Sequence, residues 1–89
     1  MNKEGCPICG YKEITVLDNY NCTTFEICSS CGCESGLEFD QYSTEEHLEE
    51  IRREWVFEQK CEWWGDEEDK PKNWNPHRQM ELAGIAIPK

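Results

Sequence analysis

Positive charge is what this chain has least of. Nine lysines and arginines stand against nineteen acidic residues among 89, a formal net charge of −10. Nucleic-acid binding relies on cationic side chains displacing counterions from phosphates, so no nucleic-acid partner is expected. Long apolar runs are missing too. No stretch is long enough to span a bilayer, and the opening Met1-Asn2-Lys3-Glu4-Gly5-Cys6 has no apolar run behind it to act as a secretory signal. A cytoplasmic chain without a membrane partner is the expectation. No Ser/His/Asp or Cys/His arrangement is legible, so no catalytic residue is assigned and an enzyme is not expected. Apolar residues are also scarce, at 37% with a mean hydropathy of −0.86. A chain of this length buries only about 60–65% of its unfolded surface. One domain spanning 1–89 therefore needs a staple beyond its apolar core.

Seven cysteines are the staple that is present. In a reducing compartment such clusters serve as metal sites more often than as disulfides, and an odd count cannot pair completely. Cys6-Pro7-Ile8-Cys9-Gly10 and Cys28-Ser29-Ser30-Cys31-Gly32 repeat one arrangement, with 18 residues between the pairs. Two thiolates separated by two residues can bind one ion from a single tight turn. The glycine behind them lets the backbone fold back, and four thiolates complete the tetrahedron that structural zinc prefers. Cys6, Cys9, Cys28 and Cys31 are the expected ligands of one Zn2+, with iron the less favoured ion. Cys22, Cys33 and Cys61 read as small buried or partly exposed thiols. A second zinc using them and a histidine has no spacing pattern behind it, and His47 and His77 read as surface residues.

Between the cysteine pairs the pattern is that of strands. Ile14 and Val16 alternate with Thr15 and Leu17 over residues 12–18, Asp18-Asn19-Tyr20-Asn21 supplies a turn, and Phe25-Glu26-Ile27-Cys28 reads as the returning strand. Residues 36–40 suggest a short third strand. The expected fold is thus a small α+β metal-bound domain: over 1–42 a zinc-ribbon β-hairpin of two or three short antiparallel strands, then one long and one short helix. The long helix is expected over 43–60, with Ser43 as N-cap, Glu46 completing a capping box, and Leu48, Ile51 and Trp55 in one apolar stripe. Residues 61–74 read as a tryptophan-rich acidic loop. The short helix and tail take 75–89, with Asn75 as N-cap, Pro76 at the first helical position and Gly84 as the stop.

Cys6-Pro7-Ile8-Cys9-Gly10-Tyr11 and Cys28-Ser29-Ser30-Cys31-Gly32 resemble the paired knuckles of zinc ribbons and rubredoxins. With Trp55, Trp63-Trp64 and Asn73-Trp74-Asn75-Pro76, the chain also resembles the small, uncharacterised cysteine-rich bacterial proteins of the CPCC type, although Ile8 stands where that name has cysteine. The knuckle likeness implies a metal site; the CPCC likeness implies no activity. The rubredoxin likeness implies an electron-transfer iron centre, against which stand Ser29-Ser30, where rubredoxins have proline, and a shorter intervening stretch.

Charge is unevenly spread. Residues 34–69 hold fourteen acids against Arg52, Arg53 and Lys60, while 70–89 hold four bases against Glu81. Such a block reads either as a solvated face or as a docking surface for a basic protein. Trp63, Trp64 and Trp74 in or beside it read either as packing over a thin core or as an aromatic patch on a partner surface. The function expected is a structural-zinc interaction module docking on a basic protein, as an immunity protein or antitoxin does; the alternative is a rubredoxin-like iron electron-transfer protein.

Overall fold

The computed structural model describes residues 2–89. Its regular elements all lie in the second half of the chain. Helix α1 spans Glu45–Arg53 and continues into a π-helical turn over Glu54–Glu58; a 3-10 turn covers Glu67–Asp69, and helix α2 spans Pro76–Leu82.

The expected zinc-ribbon β-hairpin is not present. Among the described residues there is no strand and no sheet, only the isolated bridges Glu4–Thr15, Leu17–Thr23, Ile27–Glu34 and Ser35–Phe39. The reason lies in the segment expected to return. Phe25 has φ 63°, in the left-handed region, where a bulky residue cannot continue a ladder. Its ring instead lies over Gly36, where an added Cβ would come within 2.6 Å of it. Hydroxyls also bond to carbonyls of the first segment, and Val16 O accepts Thr24 N as well. Thr24 Oγ1 donates to the Thr15 carbonyl at 2.6 Å, and Ser35 Oγ donates to that of Val16. The third strand over 36–40 is likewise a tight turn, closed by Gly36 N donating to the Phe39 carbonyl at 2.7 Å.

Helix α1 begins one residue later than the pattern suggests. Ser43 Oγ is occupied by the Asp40 amide, and Thr44 is the N-cap, accepting from His47 N at 3.1 Å. Glu45 and Glu46 open the helix and Arg52 and Arg53 close it, which suits its dipole. The α pattern does not run to Lys60. It widens after Arg53, with Gln59 N reaching Glu54 O and Cys61 N reaching Trp55 O, and Lys60 and Cys61 both sit at φ 55°. This wider turn holds Trp55 inward, its indole N–H donating to Glu62 O at 3.1 Å.

Helix α2 keeps the expected caps. Asn75 accepts from Arg78 N, and Pro76 opens the helix. Gly84 (φ 73°) closes it, with Ile85 N bonded to Met80 O and Gly84 N to Glu81 O; that pair of bonds is a Schellman cap.

The core is thin and sulfur-rich. Six of its fourteen buried side chains are cysteines, set among Ile8, Ile14, Val16, Leu17, Phe39, Leu48, Trp55 and Met80. No helix among the described residues is long and apolar enough to cross a membrane.

Candidate metal centre

Each cysteine pair is built by its own turn. Gly10 N donates to Cys6 O at 2.9 Å and Cys6 N to Tyr11 O at 2.8 Å; in the second pair Gly32 N donates to Cys28 O at 2.8 Å and Cys28 N to Cys33 O at 2.9 Å. The bonding is the same in both, and Cys33 occupies the place that Tyr11 holds in the first. Gly10 and Gly32 have φ of 84° and 79°, which a residue with a Cβ adopts only under strain. Both glycines are also closely covered. A Cβ on Gly10 would lie 2.8 Å from Ala83 Cβ and 2.9 Å from Gln79 O, and one on Gly32 would run into the Trp64 ring.

The two turns face each other across the core. The four sulfurs of Cys6, Cys9, Cys28 and Cys31 all lie within 4.8 Å of one another, with Cys6–Cys31 at 3.7 Å and Cys9–Cys28 at 3.6 Å. All four residues are buried, Cys9 and Cys28 completely. All seven cysteines are free thiols. Hydrogen bonds from Cys31 first, then Cys6 and Cys9, hold the Cys28 thiol far below its ordinary value. The Cys6 and Cys31 thiols are pushed well above theirs, chiefly through their bonds to Cys28. Sulfurs this close share protons because four bare thiolates would repel; a cation removes that conflict by taking all four as thiolates. The donor set is all sulfur, which suits zinc or iron and does not suit the hard cations calcium and magnesium.

Residues from distant parts of the chain hold the turns in place. Arg52, on α1, is only 3% exposed; its Nε donates to Ile8 O at 2.6 Å and its Nη2 to Pro7 O at 2.9 Å. Among the described residues the charge is otherwise met only by exposed Glu45, at 3.8 Å. A divalent ion with four thiolates carries a net charge of −2, so a buried guanidinium on the adjoining turn offsets part of it. From α2, Gln79 Nε2 donates both to Cys9 O at 3.1 Å and to Ser30 Oγ at 3.0 Å, which joins the first turn to the second. Trp74 Nε1 fixes that amide by donating to Gln79 Oε1 at 2.9 Å. The second turn is further held by Trp64 N and Gly65 N, which donate to Ser30 O and Ser29 O at 3.1 and 2.8 Å.

Arg52 and Gln79 were not among the residues singled out from the sequence. For Arg52 a signal exists: with Leu48, Ile51 and Trp55 it completes the buried stripe of α1, a place where arginine needs acceptors. Gln79 carries no comparable signal. Of the other cysteines, Cys33 and Cys61 are buried outside the converging four, and Cys22 is exposed with its thiol toward Tyr20 O. His47 and His77 are exposed, and the His47 ring contacts Glu38 O at 3.0 Å.

The three tryptophans expected on a partner surface are placed differently from one another. Trp63 is 6% exposed and stands edge-on between Tyr11 (5.5 Å between ring centroids) and Trp74 (5.2 Å). Trp74 is half-buried and continues the series to Trp55 at 6.5 Å. Trp64 is 58% exposed.

Compared with known protein families, with curated proteins and with solved structures, the chain matches none.

Proposed function

We propose that this chain is a protein-interaction module of the cytosol, in which one zinc ion is structural and an acidic surface docks on a basic protein partner in the manner of an immunity protein or antitoxin. The observation that carries the reading is the closed, buried set of four thiols beside a strongly acidic surface. Four cysteinates saturate zinc and leave no position for water or substrate, which favours a structural ion over a catalytic one. Of the fourteen acids in residues 34–69, twelve are exposed, so the charge faces solvent, where it steers and orients an oppositely charged protein. Trp64 adds an exposed indole within that acidic stretch, the residue type most enriched among interface anchors, while Trp63 and Trp74 belong to the inner aromatic series with Tyr11 and Trp55.

Elemental analysis of untagged protein with a visible spectrum tests the first half of the reading. About one zinc per chain and no colour is the expected result; a red iron tetrathiolate would favour the electron-transfer alternative, and protein that binds neither ion would sink both. Use of the chain as bait tests the second half. The expected partner is basic and is released by added salt; a partner that is itself acidic, or no partner at all in the source cells, would remove the docking role.

A further inference from the structure

Beside the second cysteine turn lies a small open depression of about 220 Å³, floored by Cys33 and Trp55 and walled by Glu38, Glu54, Gln59 and Trp64. Drug-sized ligands occupy pockets of roughly 300–1,000 Å³, so this one has room for a single long side chain. Its polar groups are acidic or neutral, and no cation lines it. The Glu54 carboxylate takes part in no hydrogen bond or ion pair among the described residues, and Glu38 uses one oxygen to accept from Glu34 N at 2.6 Å. Trp64 is exposed, with its amide bonded to Ser30 O and its ring resting on Gly32.

We propose that this depression receives one arginine side chain of the basic partner, a site that rests on the docking role proposed above. Arginine fits on three counts. Its planar guanidinium stacks on an indole face, its fork pairs with carboxylates in a bidentate way, and its three-carbon stem tolerates the apolar floor. Lysine offers charge without the plane, and an acidic or phosphorylated partner would meet two carboxylates. Because Trp64 is held by the metal-bearing turn, the pocket exists only while that turn is folded.

The test uses the metal-loaded full chain and blocked Ala-Arg-Ala and Ala-Lys-Ala tripeptides, followed in NMR by the side-chain N–H signal of Gln59, which lines the depression and is kept in every variant. The arginine peptide is expected to shift that signal saturably and to bind about threefold or more tighter than the lysine peptide. Glu54→Gln should weaken it about threefold, and Trp64→Leu should remove the discrimination between the two peptides. Equal binding of both peptides, or arginine binding untouched by Trp64→Leu and Glu54→Gln, would overturn the pocket. A polylysine titration separates this failure from that of the docking role. If polylysine binds wild type and Trp64→Leu alike while the arginine peptide shows no preference, the acidic surface stands and the pocket falls. If neither cationic probe binds, both fall.

Discussion

The two cysteine turns are nearly the same object in two different settings. Their backbone hydrogen bonds correspond one for one, and their glycines share one conformation. Apart from the Gln79 amide, which bonds to both, their coverings differ. The first turn lies under two helices, which contribute the Arg52 guanidinium, the Gln79 amide and the Ala83 methyl. The second lies under a loop, where main-chain N–H groups of Trp64 and Gly65 and one exposed indole do the covering. Ligand geometry is therefore local and repeatable, whereas the shell around it is assembled from whatever the remaining chain brings near. The turns should respond alike to loss of a sulfur and unlike to loss of cover.

Loss of a sulfur is the largest effect. Cys9→Ser and Cys31→Ser, one in each turn, should both release the ion and unfold much of the domain, since structural zinc supplies on the order of 10 kcal/mol to small folds. Circular dichroism with metal analysis checks this, and retention of metal by either variant would break the equivalence of the turns. Next comes cover on the helical side. Arg52→Met leaves the Pro7 and Ile8 carbonyls without their donor and should cost about 3 kcal/mol in denaturant unfolding, with weaker metal retention against a chelator. Arg52→Lys should recover only part, because one ammonium cannot reproduce the two directed bonds.

The glycines sharpen the contrast. Gly10→Ala pushes a methyl into the α2 backbone and should cost about 3 kcal/mol, whereas Gly32→Ala meets a ring that can swing into solvent and should cost about 1–2 kcal/mol. Equal costs would mean that the loop cover is as rigid as the helical one.

The smallest effect lies outside both turns. Burial pushes the Cys61 thiol above its ordinary value. A folded value above the unfolded one contributes stability that is whole below the unfolded pKa, about 8.5, and is lost as pH rises through the folded value. Cys61→Ala should therefore flatten the alkaline end of the stability profile while keeping the metal. An unchanged profile would remove Cys61 from that account.

What could be read in advance follows the same division. The cysteine turns are written within five residues each, and Asn75, Pro76 and Gly84 mark α2 at its own ends, so these local features were legible. The hairpin was misread because alternation at Ile14, Val16, Phe25 and Ile27 weighs apolar side chains only. It gives no weight to Thr24 and Ser35, whose hydroxyls bond to the Thr15 and Val16 carbonyls, nor to Phe25 turning left-handed onto Gly36. The start of α1 slipped by one residue because Ser43 and Thr44 are equally good caps, and the Asp40 amide decides between them. Gln79 was invisible because its meaning depends on two turns about 50 and 70 residues away.

That single amide has a kinetic side. Gln79 lies across both turns, and its helix follows all four sulfurs in the chain, so it is synthesised after them. An ion captured while the turns are still uncovered would then be closed over by α2. Exchange of an ion held there would wait on the lifting of a seven-residue helix, so its residence time would depend on a local opening of the fold as well as on the strength of its bonds to sulfur.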